Sequence, residues 1–494
     1  MKTYRLLFIF DFLITVKSFS SLSLTQRRGH FVKQCSYRSP PTFTFCIDTW
    51  IRTTSTSTTT NIHSTASTEI AEVSSSSSGH ALNPLVTSVK MSATVAIFSL
   101  VKQMEAEGQT VTSLCVGEPD FLPPPAVLQA ASHAILSGDT KYTAVTGTIP
   151  LRKAITHDLH IRKQTLYKPD EIIVSNGAKQ AVYQGILATC GLHDAVIIPA
   201  PYWPSYPEMV TLVGGHPIIL QTQEKDGYLI TPQALRSCLE QAKTQGLHVK
   251  LLILCNPSNP TGGVHTRQHL EQLAQVLEEY PQVYILADEI YERLVYADST
   301  QEEHVSFASL SPAMFARTMT VNGFSKSHAM TGMRLGYMAA PSPIAKAVAT
   351  IQSQLTSCAG SVSQAAGLAA LTLVTEEEMK QNVHIMRQKR DYVIQRLQQI
   401  PHVHLAVPPN GAFYVLPDVS YYYKGNDEQL CLDLLKSHRL AIVPGSSFGA
   451  PGTVRISYAT SIEELKIAMD KLQDFLRLEN IDSSLTCPPP LLAQ

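Results

Sequence analysis

The chain has 494 residues, 44% of them hydrophobic and 16% charged, which is room for two or three domains and a large core. Its 39 basic and 40 acidic residues leave a net charge of −1, which argues against a nucleic-acid partner held by a basic surface and against an acidic tail. Ordinary Gly and Pro counts exclude a collagen-like chain. The body holds no apolar run long enough for a polytopic membrane protein, and nine scattered cysteines without a Cys-x-x-Cys pair read as reduced thiols.

Residues 1–80 are different material, with eight basic and four acidic residues, +4 against −5 for the remainder. Lys2 and Arg5 precede the apolar stretches Leu6–Phe10 and Phe12–Val16, the layout of a signal peptide. The stretch behind is rich in Arg, Ser and Thr and poor in acids, as in an organellar transit peptide, and buries too little apolar surface to offset the entropy of ordering. Residues 1–83 are therefore expected to be a disordered targeting leader. A plastid is the first address and a mitochondrion the second, and no membrane association is expected once the leader is removed.

From Leu85 to about Asn480 the chain reads as globular, with a Pro-rich tail over 483–494. Short strands are predicted at Glu171–Ser175, Ala195–Pro199, Pro217–Leu220, Lys250–Leu254, Val283–Ala287, Thr318–Val321 and Leu335–Ala339, with helices at about 177–190 and 268–279 among them. Lys250–Leu254 does not alternate polar with apolar, as expected of a strand covered on both faces. This rhythm predicts an α/β fold with a mostly parallel sheet flanked by helices. After 374 comes a long helix over Glu376–Gln399, whose charges read as a solvated face, then strands near Phe413–Leu416 and Val454–Tyr458. The expected organisation is a large domain over 126–374 and a smaller α+β domain over 375–482, completed by the arm 84–125.

Ligands of open α/β sheets sit outside the carboxyl ends of the strands. Those ends carry Asn176-Gly177-Ala178-Lys179, Asn256 to Gly262, Asp288-Glu289-Ile290-Tyr291 and Asn322-Gly323-Phe324-Ser325-Lys326. The set meets the needs of pyridoxal 5′-phosphate. The aldehyde needs a lysine amine, and Lys326 is the candidate. A buried carboxylate keeps the ring nitrogen protonated, and Asp288 suits it. Asn259 and Tyr291 suit the ring hydroxyl. The phosphate needs N–H groups at a helix start, from Gly177, Ala178 and Lys179, and a cation, Arg334.

The segment Gly323-Phe324-Ser325-Lys326-Ser327-His328-Ala329-Met330-Thr331-Gly332-Met333-Arg334-Leu335-Gly336 resembles the lysine signature of class I aminotransferases of fold type I. Gly117-Glu118-Pro119-Asp120-Phe121, Lys141-Tyr142, Pro201-Tyr202-Trp203, the Asn259 turn, Asp288 to Tyr291 and Arg455 to Tyr458 match in order over about 90–475. The resemblance implies a seven-stranded sheet in the large domain. It implies that Lys326 holds the cofactor and moves the proton, that Asp288 pairs with the ring nitrogen, and that Asn259 and Tyr291 bind the ring hydroxyl. Trp203 would stack on the ring, while Gly177, Ala178, Lys179, Ser325 and Arg334 hold the phosphate. Tyr142 would reach the phosphate of a neighbouring subunit, making a homodimer with shared sites. Arg455 would clamp the substrate α-carboxylate, helped by Asn259 and the Gly117 backbone. Gly323 departs from members that place a phosphate-binding serine there.

Trp203 and the stretches around Lys179, Trp203 and Ala329 resemble the bacterial-type aspartate aminotransferases, a group that includes plastid aspartate/prephenate enzymes of plants. There a lysine at the position of Lys179 binds the distal carboxylate, and a threonine at the position of Thr94 helps prephenate. The implied reaction passes an amino group from glutamate or aspartate to oxaloacetate or prephenate, the latter giving arogenate. The alternatives are an aminotransferase for alanine, kynurenine or aromatic acceptors, a pyridoxal-phosphate lyase acting at β or γ carbons, and a ligand-sensing regulator. The last is disfavoured because no helix-turn-helix pattern precedes the body. His328, Met330 and Met333 read as structural.

Overall fold

A computed structural model describes residues 82–296, 304–406 and 408–477; the expected leader, apart from Leu82 and Asn83, and the Pro-rich tail fall outside them. The strands in chain order are β1 (Thr112–Ser113), β2 (Ile172–Ser175), β3 (Asp194–Ala200), β4 (His216–Gln221), β5 (His248–Cys255), β6 (Tyr284–Asp288), β7 (Thr318–Gly323), β8 (Gly336–Ala339), β9 (Tyr414–Val415), β10 (Leu440–Ala441), β11 (Val443–Pro444) and β12 (Val454–Ser457).

Seven of them form one sheet in the order β2-β8-β7-β6-β5-β3-β4. All pairings are parallel except those of β8, which is antiparallel to both neighbours. Consecutive residues point to opposite faces, and both faces are buried. Ile197, Leu252, Leu254 and Ile285 pack on one side against Leu235, Leu239, Leu270 and Leu273 of helices Pro232–Thr244 and Arg267–Glu278. Ile198, Leu251, Ile253 and Leu286 pack on the other against Val182, Ile186, Val210 and Val348 of helices Ala178–Thr189, Ser205–Leu212 and Ser342–Leu355. Two apolar faces explain the unalternating strand sequences.

The chain runs from β3 to the edge strand β4, then returns past β3 to β5. This reversal makes a crevice at the carboxyl ends of β3 and β5, where a ligand fits. The small strands lie elsewhere: β1 pairs with β10, and β9 and β11 flank β12. They share a core with Met386, Val393 and Leu397 of helix Glu376–Leu397, with Leu465 and Leu472 of Ile462–Phe475, and with Tyr291 and Leu294 just past β6. These small strands therefore pack directly against the segment just past β6.

The charges of the long helix are not all solvated as expected. Lys389 is buried and pairs with Asp120 at 2.6 Å. Among the described residues no helix is long and apolar enough to cross a membrane, and no group of three or more His, Cys, Asp or Glu could hold a metal ion. The six described cysteines are free thiols, three of them buried.

Candidate active site

A cavity of about 260 Å³ opens at the crevice, lined by Thr94, Gly117, Ala178, Lys179, Trp203, Asn259, Asp288, Tyr291, Ser325, Lys326, Arg334 and Arg455. These twelve expected residues come together although they span 94 to 455. Two others do not line it. Gly177 lies at its edge, and Tyr142 is 90% exposed and touches nothing in this cavity. A larger cleft of about 740 Å³ beside Arg162, Lys163 and Glu292 shares no lining residue with it.

Lys326 follows the end of β7, and its Nζ donates to the Gly117 carbonyl at 2.6 Å. Burial is the main force pushing its pKa down to about 8; Arg455 and Arg334 add to this, while Glu118 and Asp288 oppose it. A neutral amine is therefore accessible near physiological pH, as a nucleophile or proton carrier requires.

Asp288 ends β6 and is buried. Its Oδ2 accepts from the Tyr206 hydroxyl at 2.7 Å and its Oδ1 from the Ile290 N–H at 3.3 Å. Burial pushes the carboxyl above its ordinary range despite those donors and the Lys326 charge. No cationic side chain is ion-paired with it among the described residues, and a cation bound beside it would favour its ionised form.

Helix Ala178–Thr189 starts without a side-chain cap, and the first-turn N–H groups of Ala178 and Lys179 have no intrahelical acceptor, an arrangement that can receive an anion. The Gly177 N–H, expected to join them, instead donates to the Ser175 carbonyl at 2.9 Å. Gly177 matters for space: its φ is +85°, and a Cβ there would lie 2.5 Å from Arg334 Nη2. The guanidinium is thereby held against the helix start, with Nη1 donating to the Thr331 carbonyl at 3.0 Å. At Gly323 a Cβ would lie 3.0 Å from Gly336 Cα, so β7 and β8 pass too closely for an easy serine. Ser325 is buried at the cavity wall.

Lys179 Nζ lies 5.1 Å from the centroid of Trp203, with no carboxylate ion-paired to it among the described residues. Burial and the nearby Arg334 lower its pKa. Arg455, on β12, is 2% exposed. It donates from Nη1 to Asn259 Oδ1 at 3.2 Å and from Nη2 to the Cys115 carbonyl at 2.6 Å, between the rings of Tyr414 and Phe448. Its Nε is buried without an acceptor. Four basic side chains, Lys179, Lys326, Arg334 and Arg455, thus line a cavity that Asp288 alone does not neutralise, a field that suits anions.

Tyr206 and Tyr414 were not expected here. Tyr206 stands one helical turn after Trp203 and meets it edge-on at 5.3 Å, so that spacing could have revealed it. Tyr414 lies on a two-residue strand with no motif around it. His328 is buried beside Ser327, and Met330 is core, as expected.

A family model described as "Aminotransferase class I and II" matches residues 109–472. A Petunia hybrida protein named a bifunctional aspartate aminotransferase and glutamate/aspartate-prephenate aminotransferase is 44% identical over 406 residues, 80% of this chain and 82% of that one. An aspartate/prephenate aminotransferase of Cereibacter sphaeroides is 38% identical over 80% of this chain and 98% of its own. The crystal structure of the Rhizobium meliloti aspartate aminotransferase superposes with a TM-score of 0.75 at 36% identity, covering 81% of this chain and 99% of that one.

Proposed function

The chain belongs to the class I and II aminotransferases, fold type I enzymes that use pyridoxal 5′-phosphate, and from that premise we propose which substrates and residues carry its reaction. It transfers the amino group of glutamate or aspartate to oxaloacetate or 2-oxoglutarate, and to prephenate, which becomes arogenate. The carrying observation is the cavity itself: a buried amine of lowered pKa, a buried carboxylate without a counter-cation, and three further cations for anionic groups. The relatives' names support the substrates.

When bound, the cofactor supplies an aldehyde for covalent capture of amines and a ring that withdraws electrons from the substrate Cα. Lys326 would hold it and, once its amine is free, its Nζ would take the substrate Cα proton and return it to the carbon that carried the aldehyde. Asp288 keeps the ring nitrogen charged. Asn259 and Tyr291 would meet the ring hydroxyl, and Trp203 would cover a ring face. Ala178, Lys179, Ser325 and Arg334 surround the phosphate, with Gly177 making room for Arg334. Arg455 receives the α-carboxylate, its orientation set by Asn259, the Cys115 carbonyl and two rings; the Gly117 backbone closes that side. Lys179 and Thr94 face the distal end.

The spectrum of the purified holoenzyme reports the half-reactions. Glutamate converts the aldehyde form to the amine form, and oxaloacetate and prephenate each restore it, whereas pyruvate does not. Restoration by pyruvate alone would replace this substrate assignment. The Lys179→Leu, Thr94→Val protein is expected to raise KM for oxaloacetate and prephenate about 10- to 100-fold, the worth of a lost charge-assisted hydrogen bond, while pyridoxal-phosphate content stays full. Steady-state kinetics check this, and equal prephenate turnover would remove both residues from the site.

The active unit we propose is a homodimer in which Tyr142 reaches a second subunit's phosphate. Its exposure, with Leu136 and Ile149 also exposed nearby in sequence, supports this. The body is proposed to work as a large domain, 126–374, and a small one made of 84–125 and 375–482. The basic, Ser/Thr-rich leader 1–83 supports a plastid address.

A further inference from the structure

Tyr414 lies outside the set at the strand ends and yet touches three parts of the site. Its hydroxyl is 2.8 Å from that of Tyr291. Its ring face carries the Arg455 guanidinium 4.6 Å from the centroid. Its Oη fills the place any side chain at position 117 would take, so the segment whose carbonyl holds Lys326 Nζ passes only as glycine. The residue is 1% exposed and lines the cavity.

Resting on the reading above, we propose that Tyr414 is a positioning residue that couples the α-carboxylate clamp Arg455 to the ring-hydroxyl donor Tyr291. A phenol has one proton to donate and lone pairs to accept. When Tyr291 donates to an ionised ring oxygen, its own oxygen is free to accept, and Tyr414 is placed to donate to it. Burial keeps both phenols protonated, raising both pKa values. Two hydroxyls in series polarise one another, so Tyr291 becomes the stronger donor. The other contact acts on substrate. Between Tyr414 and Phe448, 4.8 Å away, the guanidinium has little freedom left to lose when a carboxylate arrives. One side chain therefore serves cofactor through its hydroxyl and substrate through its face.

These two contacts separate by mutation. Tyr414→Phe removes the hydroxyl and keeps the face and the volume; Tyr414→Leu removes both. The readouts on holoenzyme are the pH midpoint of the cofactor's visible absorption change and the calorimetric Kd of succinate, an unreactive dicarboxylate. A weaker hydrogen bond to the ring oxygen lets that oxygen hold the neighbouring proton more tightly, so the midpoint rises. Tyr414→Phe is expected to raise it by about 0.5–1 pH unit with succinate Kd within about twofold of wild type. Tyr414→Leu is expected to show the same rise and a Kd weaker by about fivefold or more. An unmoved midpoint in Tyr414→Phe, or wild-type succinate binding in Tyr414→Leu, overturns the proposal. Wild-type protein lacking the visible band would instead overturn the cofactor assignment on which it rests.

Discussion

Lys326→Ala is expected to lower kcat/KM for aspartate by at least about 10⁴-fold, since on the proposed assignment it removes the covalent holder of the cofactor and the carrier of the Cα proton together. The fold should survive. The side chain makes one hydrogen bond, to the Gly117 carbonyl, and its charge is disfavoured by burial, so little stability is lost with it. A thermal midpoint within about 4 °C of wild type, measured beside the kinetics, would separate chemistry from unfolding. The lowered pKa adds a pH signature. Only the neutral amine captures an aldehyde, and its folded-state pKa is about 8. Capture of pyridoxal phosphate by apoprotein should therefore speed up about tenfold per unit as pH rises toward 8, then level off. A flat profile between pH 6 and 8 would contradict the assignment.

Asp288→Asn is expected to cost about 10²- to 10⁴-fold in kcat, because a cation in a buried place loses its partner, worth roughly 3–5 kcal/mol. KM for aspartate should change far less, since Arg455 and Lys179 are untouched. Tyr206→Phe should fall between this variant and wild type. It removes one hydrogen bond at 2.7 Å to the carboxylate, roughly 1.5–3 kcal/mol, while the charge stays. An Asp288→Asn enzyme with wild-type kcat would remove the carboxylate from the mechanism.

The site was more legible in the sequence than the body around it. Strand ends converge in any parallel sheet, so unalternating apolar runs followed by Asp288, Asn259 and Lys326 mark one place without knowledge of the loops. The antiparallel direction of β8 was not legible, because Gly336–Ala339 is buried on both faces like β2 and β7 beside it and carries no sign of its direction. The pairing of Thr112–Ser113 with Leu440–Ala441 was equally hidden, since two residues have no periodicity. Tyr414 and Lys389 were missed for a common reason. Each acts through a partner distant in the chain, Tyr291 and Asp120, and nothing local distinguishes a functional tyrosine on a strand or a paired lysine on a charged helix.

Borohydride reduction of the purified, pyridoxal-phosphate-loaded protein, followed by digestion and peptide mass spectrometry, reads the covalent partner directly. A single phosphopyridoxyl group is expected on the peptide that contains Lys326, and its yield should match the cofactor content. A stable adduct on any other lysine, Lys179 included, or none at all, would contradict the assignment of this amine.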